Sequence, residues 1–246
     1  MNSKIEIIPA DWPAPSQVKA FSSTRQGGVS EGCFEGLNLA SHVGDKPSHV
    51  IRNRQLLSQQ AGLPNEPVWL NQAHSTAVVC ADDDLNLNAD AAFTYQIQTV
   101  CSVLTADCLP LLICNQQGNC VAAAHAGWRG LLGGVIENTL AVMQQDPTDL
   151  FVWIGPSISA SVFEVGQDVV QPFIQKLPQA EKCFQQIDET HWLADMLQLA
   201  KLTLQQKGVE KIYGGEYCSY QDSEKFYSYR RDAKTGRMAS LIWFEK

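Results

Sequence analysis

Three stretches in a row, TVCSVL at residues 99–104, LPLLIC at 109–114 and CVAAAH at 120–125, are short, apolar on both faces and separated by TADC and NQQGN. Strands without polar alternation are covered above and below. The rest of the chain therefore has to supply a layer on each side of this block. Further strands are expected at residues 18–24, 68–70, 76–81, 151–155, 211–213, 226–229 and 238–244. Helices are expected from Ser48, as N-cap, to about residue 61, from the GWRG segment to near residue 143, at 167–177 with Pro172 as a kink point, and at 192–206 before Gly208. Strand clusters interleaved with four helices predict an α/β fold of the α+β type, a sandwich of mixed β-sheets covered by helices. No repeat or Pro/Gly/Ser linker divides the chain, so residues 1–246 read as a single domain.

Composition narrows the function classes. Hydrophobic residues are 45% and charged residues 18%, which excludes a disordered or collagen-like chain. A net charge of −8 argues against nucleic acid and membrane surfaces as partners, since both require a basic face. No apolar run approaches the roughly 18 residues of a membrane span, and MNSKIEIIPADWPAPS has no signal-peptide pattern, so the expected compartment is the cytoplasm. The eight cysteines include no CxxC pair and are expected as thiols. The N-terminal arm and the acidic stretch 82–90 read as solvated segments rather than gates.

Chemistry-bearing residues gather at the ends of the expected strands: His74 in QAHS, Asp107 and Cys108 in TADC, and His125 in HAGWRG. Two histidines and a cysteine with a fourth position open make a catalytic zinc set. The same residues also read as a Cys108 nucleophile with His125 or His74 as base, or as a buried thiol beside two hydrogen-bonded histidines. Gly127 and Arg129, at an expected helix start, suit an anion such as phosphate, and Arg25, Arg230 and Arg231 are further anion candidates. Phe226, Tyr227 and Tyr229 read as strand packing or as a wall for a planar base. His42 reads as a loop histidine or a supporting group, and His49 and His191 as surface residues. GxGxxG, P-loop, GxSxG, HExxH and zinc nucleobase-deaminase signatures are absent.

Taken together, QAHS, TADCLPLL, HAGWRG, IGPSI, FEVG, FYSYRRD with TGR, NLASHVGD and the Asn53–Arg54 pair resemble the bacterial YfiH family, also called the laccase-domain or polyphenol oxidase family, over nearly the whole chain. The resemblance implies a sandwich similar to the cytotoxic necrotising factor deamidases, which are cysteine hydrolases. It also implies metal ligation by His74, Cys108 and His125, usually of zinc. The implied activity is phosphorolysis of inosine, adenosine, guanosine or methylthioadenosine, with associated adenosine deaminase activity, so a nucleoside and phosphate are the expected partners. Under it Asp107 becomes a candidate proton donor or supporting group, and Arg25, Gly127, Arg129 and Arg230 the phosphate site. The chain departs from the family's usual Val and Gly beside the first histidine, having Ala73 and Ser75.

The laccase name itself can be tested by counting. A multicopper oxidase needs about ten histidines in all, and this chain has five with no HxH pair, so one copper is the most a His2Cys site would take. Alternatives to the phosphorylase are a cysteine hydrolase acting on an amide of a cell-wall precursor, copper-dependent polyphenol oxidation, and a non-catalytic metal- or purine-binding module.

Overall fold

The structure, a computed structural model, describes residues 4–83 and 86–246; the start of the N-terminal arm and residues 84 and 85 of the acidic stretch lie outside the described residues. In chain order the elements are β1 (Ile7–Pro9), β2 (Val18–Ser23), α1 (Pro47–Ala61), β3 (Val78–Cys80), β4 (Ala91–Thr94), β5 (Cys101–Thr105) and β6 (Leu109–Asn115). There follow β7 (Val121–Ala126), α2 (Trp128–Gly133), α3 (Val135–Met143), β8 (Leu150–Ile154), β9 (Glu164–Gly166) and α4 (Gln167–Lys176). The chain closes with β10 (Phe184–Gln186), β11 (His191–Ala194), α5 (Met196–Gln206), β12 (Lys211–Gly214), α6 (Tyr229–Asp232) and β13 (Met238–Phe244).

Among the described residues the strands form three sheets: an antiparallel β1-β2-β13-β5, a mixed β12-β8-β6-β7-β4-β3 and a small β10-β11-β9. In the mixed sheet β12 runs parallel to β8 and β3 parallel to β4, and the other pairings are antiparallel. The two larger sheets pack face to face, with Val103, Ile242 and Phe244 of one against Leu112, Cys114, Ala123 and Trp153 of the other. Alternation along β6 turns Leu109, Leu111 and Ile113 the opposite way, into a second core with α3, α4 and α5. The outer face of the four-stranded sheet carries Phe21, Leu241 and Trp243, which pack with Leu57 of α1 and with Leu37 and Leu39. The order of layers is thus helix, sheet, sheet, helices, and every residue of β5 and β6 is buried.

Several expectations are corrected. The three central strands do not share one sheet, because β5 pairs with β13 whereas β6 and β7 pair with each other. Residues 106–108 carry the chain across from one sheet to the other, with Asp107 in the left-handed region at φ 95°. Lys46, not Ser48, is the N-cap of α1, since Pro47 takes the first helical position that its fixed φ suits. The helix after GWRG is two helices, broken at Gly134 (φ 109°). Residues 192–194 belong to β11, and α5 starts afterwards because the Asp195 side chain accepts from the Gln198 amide. Residues 226–229 are not a strand: Phe226 and Tyr227 are plugs buried among other elements, and Ser228 caps α6. Strand β4, of sequence AAFT, carries too little β-branched character to show in the sequence.

Candidate metal centre

His74 sits in the loop before β3 at φ 59°, a left-handed conformation for a residue with a Cβ. Asp90, at the leading end of β4, holds it there. Its carboxylate accepts from the backbone amides of Ala73, His74 and Ser75 at 3.2, 3.0 and 2.6 Å and from the Ser75 hydroxyl at 2.6 Å. The Ser75 that departs from the family's usual residue thus contributes two of these bonds. Asp90 is fully buried and also takes the Nδ1–H of His125 at 2.7 Å, while its own carbonyl accepts from the His125 amide across the β4–β7 ladder. The stretch 82–90 therefore does not end as a solvated loop, as its acidic sequence suggested. With Nδ1 committed, Nε2 of His125 is left for the centre, an orientation typical of a metal-bound imidazole backed by a carboxylate.

Cys108 ends the three-residue crossing between sheets and lies 3.7 Å (Sγ) from His74 Nε2. The ligand atoms of His74, Cys108 and His125 all fall within 4.8 Å of one another. Zn–S and Zn–N bonds of about 2.3 and 2.0–2.1 Å at a tetrahedral angle place S and N about 3.5 Å apart, so the set fits a single ion with one position left for another ligand. Gly127 closes one side: a Cβ on it would stand 2.5 Å from His74 Cδ2 and 3.0 Å from Cys108 Sγ. Its φ of −67° is ordinary, so it is space and not backbone conformation that requires glycine.

The electrostatics agree with this geometry. Burial alone would push the Cys108 thiol up, but the facing His125 and His74 outweigh it and bring the thiol down to about 6. Burial works against a charged His125 as well, and is outweighed by Cys108 and Asp90, which raise it. Asp90 is likewise penalised by burial, yet the bonds from His125 and Ser75 bring it down to about 2. Unlike Cys108, Cys114 and Cys120 are pushed up by burial to about 12 and about 11, so they are inert thiols.

The centre lies on the floor of a cleft of about 450 Å³ at the seam between the two large sheets. Gly127, Arg129, Arg230 and Asp107 line it, as the sequence suggested for a site, together with His42, Gln72 and Arg237. Gln72 is fixed by pairing its amide with both backbone groups of Leu104, in the manner of an added strand residue. Asp107 turns its carboxylate to the Ser219 hydroxyl and the Arg230 amide, both at 2.7 Å, which ties the crossing to α6. Arg129 lies over Trp128, Arg230 over Phe163 and Arg237 over Tyr229, at 4.1, 5.0 and 5.8 Å from the ring centroids. Tyr229 remains 59% exposed at the rim.

Arg25 does not line the cleft. Its guanidinium stacks on Tyr227 and donates to the carbonyls of Ser223 and Glu35, so it staples the Gly-rich turn to the segment before α6. Arg231 is spent on the carbonyls of Ser219, Tyr220 and Phe226. His49 stands by Asp45 and His191 by Asp188, both away from the centre. The sequence reading missed Asp90 as the support of the site and Arg237 as a lining cation; the first was masked by its acidic neighbours, and TGR gave no sign of the second's position.

A helix–sheet–sheet–helix sandwich with His74, Cys108 and His125 grouped in an arginine-lined cleft defines a class of protein whose site residues can accept one metal ion. The chain belongs to the YfiH family, matching over residues 19–245 the family model described as multi-copper polyphenol oxidoreductase laccase. It is 46% identical to the purine nucleoside phosphorylase of Haemophilus influenzae over 98% of this chain and 100% of that one. The identity is again 46% with the purine nucleoside phosphorylase YfiH of Escherichia coli, covering 97% and 98%. The crystal structure of Neisseria meningitidis protein NMB0706 superposes with a TM-score of 0.94 at 50% identity, covering 98% and 99% of the two chains. YlmD from Geobacillus stearothermophilus gives 0.88 at 28% identity, covering 95% and 94%. The multi-copper description does not fit the residues present: of the five histidines only His74 and His125 converge, enough for one ion and not for a cluster.

Proposed function

We propose that this chain is a purine nucleoside phosphorylase that cleaves the N-glycosidic bond of inosine, adenosine, guanosine or methylthioadenosine with phosphate, with an associated adenosine deaminase activity, in the cytoplasm. The observation that carries the reading is the convergence of His74, Cys108 and His125 on the floor of a cleft rimmed by uncompensated arginines, in a chain whose relatives bear that name. Residues 1–246 act as one domain in this reading, and its partners are a nucleoside and phosphate rather than nucleic acid or a membrane. Among the described residues no helix is long and apolar enough to cross a membrane.

His74, Cys108 and His125 would hold zinc, which would supply Lewis-acid chemistry at the cleft. Arg129, Arg230 and the amides that open α2 beyond Gly127 bind phosphate and hold it for attack on C1′ of the ribose. Neither Arg129 nor Arg230 has a carboxylate within salt-bridge distance among the described residues, so their charge is available to the anion. Asp107 positions the Arg230 backbone and through it that wall of the cleft. Tyr229 offers a flat surface to the base. The test is chromatography of products after incubating zinc-loaded protein with inosine or adenosine, with and without phosphate. Free base and ribose 1-phosphate formed only with phosphate, and lost in Cys108→Ala, are expected; base release indifferent to phosphate, or none, overturns the reading.

A cysteine hydrolase is favoured by one observation. Cys108, lowered to about 6, faces His125, which Asp90 orients, giving the nucleophile–base–carboxylate order of a catalytic triad. This reading goes with the cytotoxic necrotising factor deamidase-like architecture. It expects hydrolysis of an amide that alkylation abolishes and chelation spares, the reverse of the phosphorylase.

A further inference from the structure

Phosphorolysis of an uncharged nucleoside presents one anion to the cleft, and Arg129 and Arg230 with the α2 amides suffice for it. The cleft is lined by further cationic and polar groups, Arg237 and His42, that this reading leaves without a role. Arg237, just before β13, is half-buried, and its Nη1 is used on the carbonyls of Thr235 and Gly236. No carboxylate lies within salt-bridge distance of it among the described residues, although acidic residues outnumber basic ones 26 to 18. The groups facing it are Cys108, Asp107 and Tyr229. Asp107 already accepts from Ser219 and Arg230.

His42 lines the same cleft, with Arg237 and Arg54 as its charged neighbours. Arg54 itself is tied to the Leu39 carbonyl by two bonds and lies over Trp69. The His42 imidazole makes no hydrogen bond to the described residues. A polar ring and a guanidinium left facing one cavity are the donors a phosphoryl group takes. Resting on the phosphorylase reading for the place of orthophosphate, we propose that His42 and Arg237 form a second anion subsite, and that the cleft accepts nucleoside 5′-phosphates, with the base toward the Tyr229 rim and the 5′-phosphate on the His42–Arg237 wall.

Calorimetric titration of the full-length Cys108→Ala chain, in which turnover is expected to be lost, with AMP and with adenosine, each with and without saturating orthophosphate, tests this. AMP is expected to bind at least tenfold more tightly than adenosine, and to keep that advantage under orthophosphate. His42→Gln, at an exposed position, is expected to reduce the advantage several-fold while leaving adenosine binding as it was, and Arg237→Lys to reduce the advantage as well. Equal affinity for the two ligands overturns the subsite, as does an advantage that orthophosphate erases, which would place the 5′-phosphate in the orthophosphate position. An advantage untouched by both substitutions overturns it too. The two readings separate cleanly: AMP preference dependent on His42 without phosphate-dependent base release sinks the phosphorylase and keeps the subsite, whereas base release without AMP preference does the reverse.

Discussion

Asp90 takes five donors at once, three loop amides, a hydroxyl and an imidazole, and so fixes one ligand by its backbone and another by its ring. Its replacement by Asn keeps the size but turns one acceptor into a donor that faces other donors. Asp90→Asn is expected to weaken zinc binding about 10–100-fold, read by competition with a chromophoric chelator. The sign of its pH effect follows from a carboxyl held lower folded than unfolded: its contribution is complete above the ordinary carboxylate range and is lost as pH falls toward about 2. Acid unfolding of the metal-stripped protein should therefore lose about 2 kcal/mol over that interval, and Asp90→Asn should lack this component. Gly127→Ala tests the space at the centre. Its backbone tolerates a Cβ, so the unfolding temperature should barely move, while zinc affinity falls at least tenfold because His74 and Cys108 are pushed apart. At this scale the sequence disclosed the three side chains that converge, which are rare residue types at strand ends. It could not disclose Asp90, one acid among several, whose role is set by a neighbour 35 positions away.

Among the elements, the α2–α3 break shows what a glycine in the left-handed region does. Gly134 ends one helix and begins the next at φ 109°, which turns α3 onto the helix-side core through Val135, Ile136 and Leu140. Gly134→Ala should cost roughly 1–2 kcal/mol in denaturant unfolding, the penalty of a Cβ in that region. An unchanged midpoint would show that the break relaxes instead. The helices α1 and α4 were legible from their periodicity and their start and stop residues, and the strands β6, β8 and β13 as short apolar runs. The errors fell where short-range signals compete with pairing partners: β11 looks helical until β9 and β10 flank it, and residues 226–229 look like a strand though no edge is offered to them.

In the whole molecule, the six-stranded sheet is the wall shared by two cores, and neighbouring residues of β6 face opposite ways. Leu111→Ala opens a void against the helices and Leu112→Ala one between the sheets. Each should cost about 2–5 kcal/mol, and each should leave a single unfolding transition followed by tryptophan fluorescence and circular dichroism alike. Two separated transitions in either variant would mean that the cores fold independently. The apolar centre was readable from three consecutive runs without polar alternation; that β5 would leave its sequence neighbours for β13 was not, since a strand buried on both faces fits equally well in either sheet.

The three residues between β5 and β6 leave no slack: they span the gap between sheets and deliver Cys108 in the same stride. Over evolutionary time, insertions and deletions should therefore be tolerated in surface connections such as that between β10 and β11, whose residues 187–190 are all exposed, and be purged from residues 106–108. A chain that gained one residue there would keep its hydrophobic pattern and lose its thiol from the centre.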